Sequence, residues 1–311
     1  MGWTIRSRGH WLREISRLDP DMEYERIAYL TAKHEFPWDI QQALSFALFR
    51  TYAVPSIGRL LYDTGEFTER TQKRHDDTAL ILDEVSEHGL ESVGGRRAVR
   101  RMNQMHGGYD ISNDDLRYVL ATFVVTPVRW IEAYGWRRLV DAEVRAATAY
   151  YRRLGRLMGI RDLPETYDGF ATLLDAYEAE HFAYDEGARR VADATLALLG
   201  TFYPRPLRPL VRLFSLSIMD EPLRRAFGYD APQDAVVRLS RRLLWLRGRL
   251  ERWLPARSKP KQVKDLRIIR SYPGGFDPER LGTFPTAPTI CRRVAANSPS
   301  QPPLADESWR G

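Results

Sequence analysis

The stretch from Asp114 to Gly135, DDLRYVLATFVVTPVRWIEAYG, decides the fold class. Its apolar residues recur at spacings of three and four, the repeat of a helix and not the alternation of a strand. Ser112 or Asn113 can cap such a helix, and Asp114 and Asp115 place negative charge at its positive end. Tyr118, Phe123, Trp130 and Tyr134 follow the same repeat, so they are expected in a core rather than in a substrate cage. Working outward, the repeat returns in DIQQALSFALFRTYAV (39–54), TALILDEVSEHGL (78–90) and DGFATLLDAYEAEHF (168–182), and no convincing period-two run appears. The expected fold is all-α. Gly89, Gly94-Gly95 and Pro164 read as breaks, and Pro204, Pro206 and Pro209 make TFYPRPLRPL a rigid connector. Beyond it, VRLFSLSIMDEPLRRAFGY and AVVRLSRRLLWLRGRLERWL read as one helix each.

At 311 residues the chain suits one large core plus a tail. The expected organisation is an N-terminal segment over 1–20, a helical domain over 21–255, and a basic, Pro-rich tail over 256–311, at least partly disordered. Lys+Arg total 47 against 41 Asp+Glu, but the charges are interleaved, so no nucleic-acid partner is implied. The one cysteine, Cys291, excludes an intrachain disulfide and points to the cytoplasm. No apolar run approaches the ~20 residues of a membrane span, and the first 20 residues hold no apolar signal core, so a soluble protein is expected.

Of the six histidines, no two have the spacing of a two-histidine zinc helix. One histidine suffices to hold a haem iron. His106 ends the apparent helix RRAVRRMNQMH, stands before Gly107-Gly108, and has Met102 and Met105 near it. The ordinary reading of such a histidine is a partner for its helix's negative end. In KRHDDTALIL (73–82), Arg74 and Thr78 share a helix face, and the ordinary reading of Arg74 is a surface ion pair with Asp76 or Asp77. The basic helix RRLLWLRGRLERWLPARSK reads most simply as packing its Leu/Trp face into its own domain. The alternative is peripheral contact with an anionic membrane surface.

The order of these elements resembles the catalytic domain shared by MpaB-type oxygenases and latex-clearing rubber oxygenases. The similar residues are RTQKRHDDTALILDEVSEHG, RRMNQMHGGYDISNDDLRYVLATFVVTPVRWIEAYGWRRL and the helix end LGRLMGIRDLP, with weaker likeness in IMDEPLRRAFGYDAP and RSYPGGFDPERLGTFP. The resemblance implies a single helical domain with a globin-like core, a b-type haem and dioxygen chemistry on an unsaturated, isoprenoid-like molecule. It implies His106 as axial ligand of the haem iron, with Arg74 and Thr78 beside the haem. Two positions depart from rubber oxygenases: Asp77 stands where a lysine precedes the threonine, and the acid near bound oxygen has only Asp63 and Glu66 as unaligned candidates. Without an export signal the expected substrate is a terpenoid- or lipid-like metabolite rather than rubber. The competing expectation is a non-catalytic helical protein that keeps the fold and binds a lipophilic ligand or partner.

Overall fold

Eight consecutive residues, Leu120 to Pro127, are buried in the helix that runs from Asn113 to Tyr134, as only a helix surrounded on all sides can bury them. The structure, a computed structural model, describes residues 6–283. In chain order its helices are α1 (His10–Ile15), α2 (Tyr24–Leu30), α3 (Pro37–Thr51), α4 (Pro55–Asp63), α5 (Glu66–Glu69), α6 (Thr71–His88) and α7 (Val93–His106). There follow the central α8 (Asn113–Tyr134), α9 (Asp141–Leu157), α10 (Tyr167–His181), α11 (Glu186–Thr201), α12 (Arg208–Ile218), α13 (Glu221–Phe227) and α14 (Asp234–Glu251). Among the described residues no strand forms, and one isolated bridge joins Arg6 to Ala256. The fold is all-α.

The Ser112 side chain caps α8, accepting from the Asp115 amide at 2.9 Å. From the fully buried Tyr118 onward, the helix packs its faces against α3, α9, α10 and α14. Tyr118, Val124, Phe170 and Leu174 form one apolar cluster, and Phe36, Ala43, Trp130 and Leu244 form another. Each large side chain buried this way contributes roughly 1.5–3 kcal/mol. At its C-terminal end α8 meets α14 at Gly248, where a Cβ would lie 2.2 Å from the Tyr134 carbonyl oxygen. That approach requires glycine.

Three local expectations are corrected. Gly94 and Gly95 do not break a helix; they form the first turn of α7, whose Ser92 cap accepts from the Gly95 amide at 2.9 Å. VRLFSLSIMDEPLRRAFGY is two helices, because Asp220 accepts from the Leu223 amide at 3.0 Å and starts α13 afresh. The connector TFYPRPLRPL gives a 3₁₀ turn and then the start of α12, whose Pro209 sits in the first turn, where its missing N–H is harmless.

Residues 256–283, on the near side of the Pro-rich region, lie along α6 and α7 as a strap. Leu281 is fully buried in the cluster of Leu80, Val85, Val99 and Met102. Asp76 accepts from the amides of Arg270 and Ser271, both at 2.9 Å, and from the Ser271 hydroxyl at 2.7 Å. Asp77 accepts from the Tyr272 hydroxyl, Asp83 from the Val263 amide at 2.9 Å, and Arg101 donates to the Leu281 and Thr283 carbonyls at 2.8 Å. Residues 284–311, with Cys291, lie outside the described residues.

Candidate active site

Between α2, α3, α6, α9, α11, α12 and the strap lies a cavity of about 380 Å³. Its wall is mostly apolar and aromatic, with Phe46, Tyr52, Phe67, Trp130, Tyr151 and Phe214 among its lining residues. Volume and lining are those of a site for a lipophilic molecule. Burial pushes the Tyr52 hydroxyl up to about 12, so this group stays neutral at any physiological pH.

Arg74 and Thr78, one helical turn apart on α6, both line this cavity. The Arg74 guanidinium donates to the Thr78 hydroxyl, which donates to the Arg74 carbonyl at 2.9 Å, and it stacks over the Phe67 ring with its centre 5.0 Å from the ring centroid. Among the described residues Arg74 forms no ion pair, so the surface pair with Asp76 or Asp77 does not form. Those carboxylates are buried and face the strap. Burial raises the Asp76 carboxyl, but hydrogen bonds from His75, Arg270 and Ser271 more than offset it and hold the group at about 2. Asp77 takes the Lys73 ammonium at 2.7 Å as well as Tyr272, and does not line the cavity.

His106 is the last residue of α7, followed by the cap Gly107. It is not among the residues that line the cavity. The α9 residues Tyr150, Tyr151 and Leu154 do line it, and they share an apolar cluster with Met102 of α7. Burial first, and the Arg74 charge second, hold the His106 imidazole down to about 4, so it is neutral at pH 7. Its Nδ1 is buried with no hydrogen-bond partner. The structure thus joins Arg74 to Thr78 by contact, and His106 to Arg74 only through its field.

Neither acid considered from the sequence reaches the cavity. Asp63 is exposed, and Glu66 is buried but bonded to Arg70. The carboxylates on the wall are Glu25, Asp83 and Glu143, which sequence reading missed. Asp83 pairs with Lys33, whose ammonium also meets Glu87 at 3.1 Å. Glu143 takes Arg137 at 2.7 Å and the Thr31 hydroxyl at 3.1 Å. Thr31 and Lys33 belong to a π turn, Thr31–Glu35, that follows α2 and turns Lys33 and Glu35 inward. The signal in the sequence was the charged triplet KHE inside the otherwise apolar LTAKHEFPW, but its partners Asp83 and Arg137 lie 50 and 102 residues away.

Residues 42–249 match the family described as ER-bound oxygenase mpaB/B′/rubber oxygenase, catalytic domain. The chain is 36% identical over 235 residues to the ER-bound oxygenase mpaB of Penicillium roqueforti (strain FM164), covering 70% of this chain and 79% of that protein. It is 36% identical over 219 residues to the ER-bound oxygenase mpaB′ of Penicillium brevicompactum, covering 65% of this chain and 52% of that protein. The chain thus spans about half the length of this Penicillium brevicompactum relative. With 208 consecutive positions matched, from α3 to the end of α14, the chain belongs to the mpaB/rubber oxygenase catalytic-domain family.

Proposed function

We propose that the protein is an oxygenase of an unsaturated lipophilic molecule, isoprenoid- or terpenoid-like, that uses a b-type haem and dioxygen and cleaves a carbon–carbon double bond. The observation that carries the reading is Arg74, a cation with no carboxylate partner among the described residues, facing an apolar cavity together with Thr78. A half-buried cation of this kind, facing an apolar cavity, suits an anionic ligand, and a planar group bearing carboxylates supplies one. The neutral His106 imidazole with its orphaned nitrogen supports the same group, since an unprotonated imidazole is a donor for iron. The residues present fit a haem in these respects. His106 would hold the iron, and Arg74 and Thr78 the carboxylates.

Bound there, a haem supplies the activation of dioxygen, which no side chain provides. The chain's own part is positioning. Phe46, Phe67 and Trp130 give a substrate chain an apolar bed, and the strap residues Val263, Leu266 and Ile268 exclude water from one side. At the wall Lys33 Nζ meets the carboxylates of Asp83 and Glu87. The single cysteine supports a cytoplasmic compartment.

The test is the absorption spectrum of purified protein, with a pyridine haemochrome assay for about one b-type haem per chain. His106→Ala is expected to lose the Soret band while keeping its helical circular dichroism, and Arg74→Ala to lower haem occupancy without unfolding. Full haem retention in His106→Ala removes the ligand assignment. A second reading, a non-catalytic lipophilic-ligand protein, is favoured by the position of His106 outside the cavity lining. A protein that stays colourless after expression with added haem precursor selects it.

A further inference from the structure

The helix α14 touches the rest of the fold along a stripe one residue wide, Ser240, Leu244 and Gly248. Beside that stripe Val236, Val237, Arg247 and Glu251 are half-buried, and the other residues of the helix face outward. Leu239, Leu243, Leu246, Leu250, Trp253 and Leu254 are all exposed, Leu250 by 60% and Trp253 by 84%. Their spacing of three and four puts them on one side of the helix, so the Leu/Trp face expected to pack inside the domain forms an exposed apolar ridge instead. On the adjoining α12 and the turn before it, Leu207, Leu210 and Leu213 are exposed as well. A patch of this size on a soluble domain marks an interaction surface.

The surrounding charge is of one sign. Arg238, Arg241, Arg242, Arg249 and Arg252 flank the ridge on α14 and at its end, and none of them forms an ion pair among the described residues. No acid occurs between Ala235 and Leu250, or between Thr201 and Met219. Arg247 is the exception: it turns inward to Asp39 at 2.5 Å. Leucine and tryptophan on one side and arginine on the next are the arrangement of a helix lying in the headgroup region of an anionic bilayer. A protein partner with an apolar groove would match the leucines, but the arginines then need acids placed beside that groove. A lipid surface offers both at once.

A second observation places the cavity behind α12, the helix that adjoins this ridge. Val211, Phe214, Ser215 and Ile218 of α12 line it, and Tyr203, just before α12, both lines it and is half exposed. The α12 wall of the cavity therefore adjoins the exposed Leu207, Leu210 and Leu213. We infer that α12 and α14 dock on an anionic membrane surface, with the α12 side of the cavity set toward the lipid. Docking stands without the oxygenase reading. Only the delivery of a bilayer-dissolved substrate to the cavity rests on it.

The experiment is co-sedimentation of the full chain with vesicles of phosphatidylcholine alone and of phosphatidylcholine with phosphatidylserine, at low and high salt. The chain is expected to pellet with the anionic vesicles and to be released by salt. Leu246→Glu/Leu250→Glu is expected to lower the partition coefficient by about tenfold or more, with unchanged circular dichroism and melting, because neither side chain supports the fold. A chain that stays in the supernatant with anionic vesicles overturns the inference, as does a double variant that binds as well as the parent. So does a dimer in solution that the same two substitutions dissolve, which would make a second copy the occupant. Haem content, read separately by absorption, leaves vesicle binding untouched whichever way it falls.

Discussion

On the α6 side of the cavity, carboxylates are buried and bonded to backbone amides of the strap; on the α12–α14 side, arginines stand in water around exposed leucines. Asp76 is fully buried and surrounded by donors, whereas Trp253, just past the end of α14, stands almost wholly in solvent. The difference teaches that charge and hydropathy in a sequence do not by themselves say which way a helix faces. The strap is held by hydrogen bonds that would be costly to leave half made, and α14 by a narrow seam.

The sharpest way to break this comparison is Asp76→Ala, which takes the acceptor from the part-buried Arg270 and Ser271 amides. It is expected to cost about 3 kcal/mol in chemical denaturation and to speed hydrogen exchange at residues 270–272. Acid should act on the same group. The Asp76 pKa is about 2 in the folded chain and roughly 3.9 in the unfolded one, so its stabilisation is complete above about pH 4 and lost as pH falls toward 2. An acid titration in which Asp76→Asn loses stability in parallel with the parent across that window would show that Asp76 contributes nothing there.

Next in size is Gly248→Ala. Its Cβ meets the Tyr134 carbonyl, so α14 must shift outward at about 2 kcal/mol, read as a lower melting temperature. Tyr272→Phe removes one hydroxyl from the buried Asp77 and should cost about 1 kcal/mol, read in the same melts. Smallest of all, Leu250→Ser should stay within about 0.5 kcal/mol of the parent, since its side chain is largely exposed. A large loss there would mean that the ridge is structural and that the two sides of the cavity are less different than described.

How much of this was legible in the sequence follows from range. The helix at Asn113–Tyr134, its Ser112 cap and the break at Gly89 depend on neighbours within one or two turns, and the hydrophobic repeat and cap chemistry reveal them. Arg74 and Thr78 were legible as a pair for the same reason. Their freedom from Asp76 and Asp77 was not, because what turns those acids away lies about 195 residues later in the strap. The wall carboxylates Asp83 and Glu143 were hidden likewise, since each acquires its role from a partner on another helix. The orientation of α14 was misjudged because an amphipathic repeat identifies an apolar face without saying what covers it.

The strap carries one more consequence, in the order of synthesis. Residues 263–283 are made after every helix that lines the cavity. While the chain is emerging, the helices can assemble with that side of the cavity still uncovered, and the pocket is shut only when the carboxylates of α6 capture the late segment. A bulky ligand therefore meets a wider entrance on that side in the newborn protein than in the finished one.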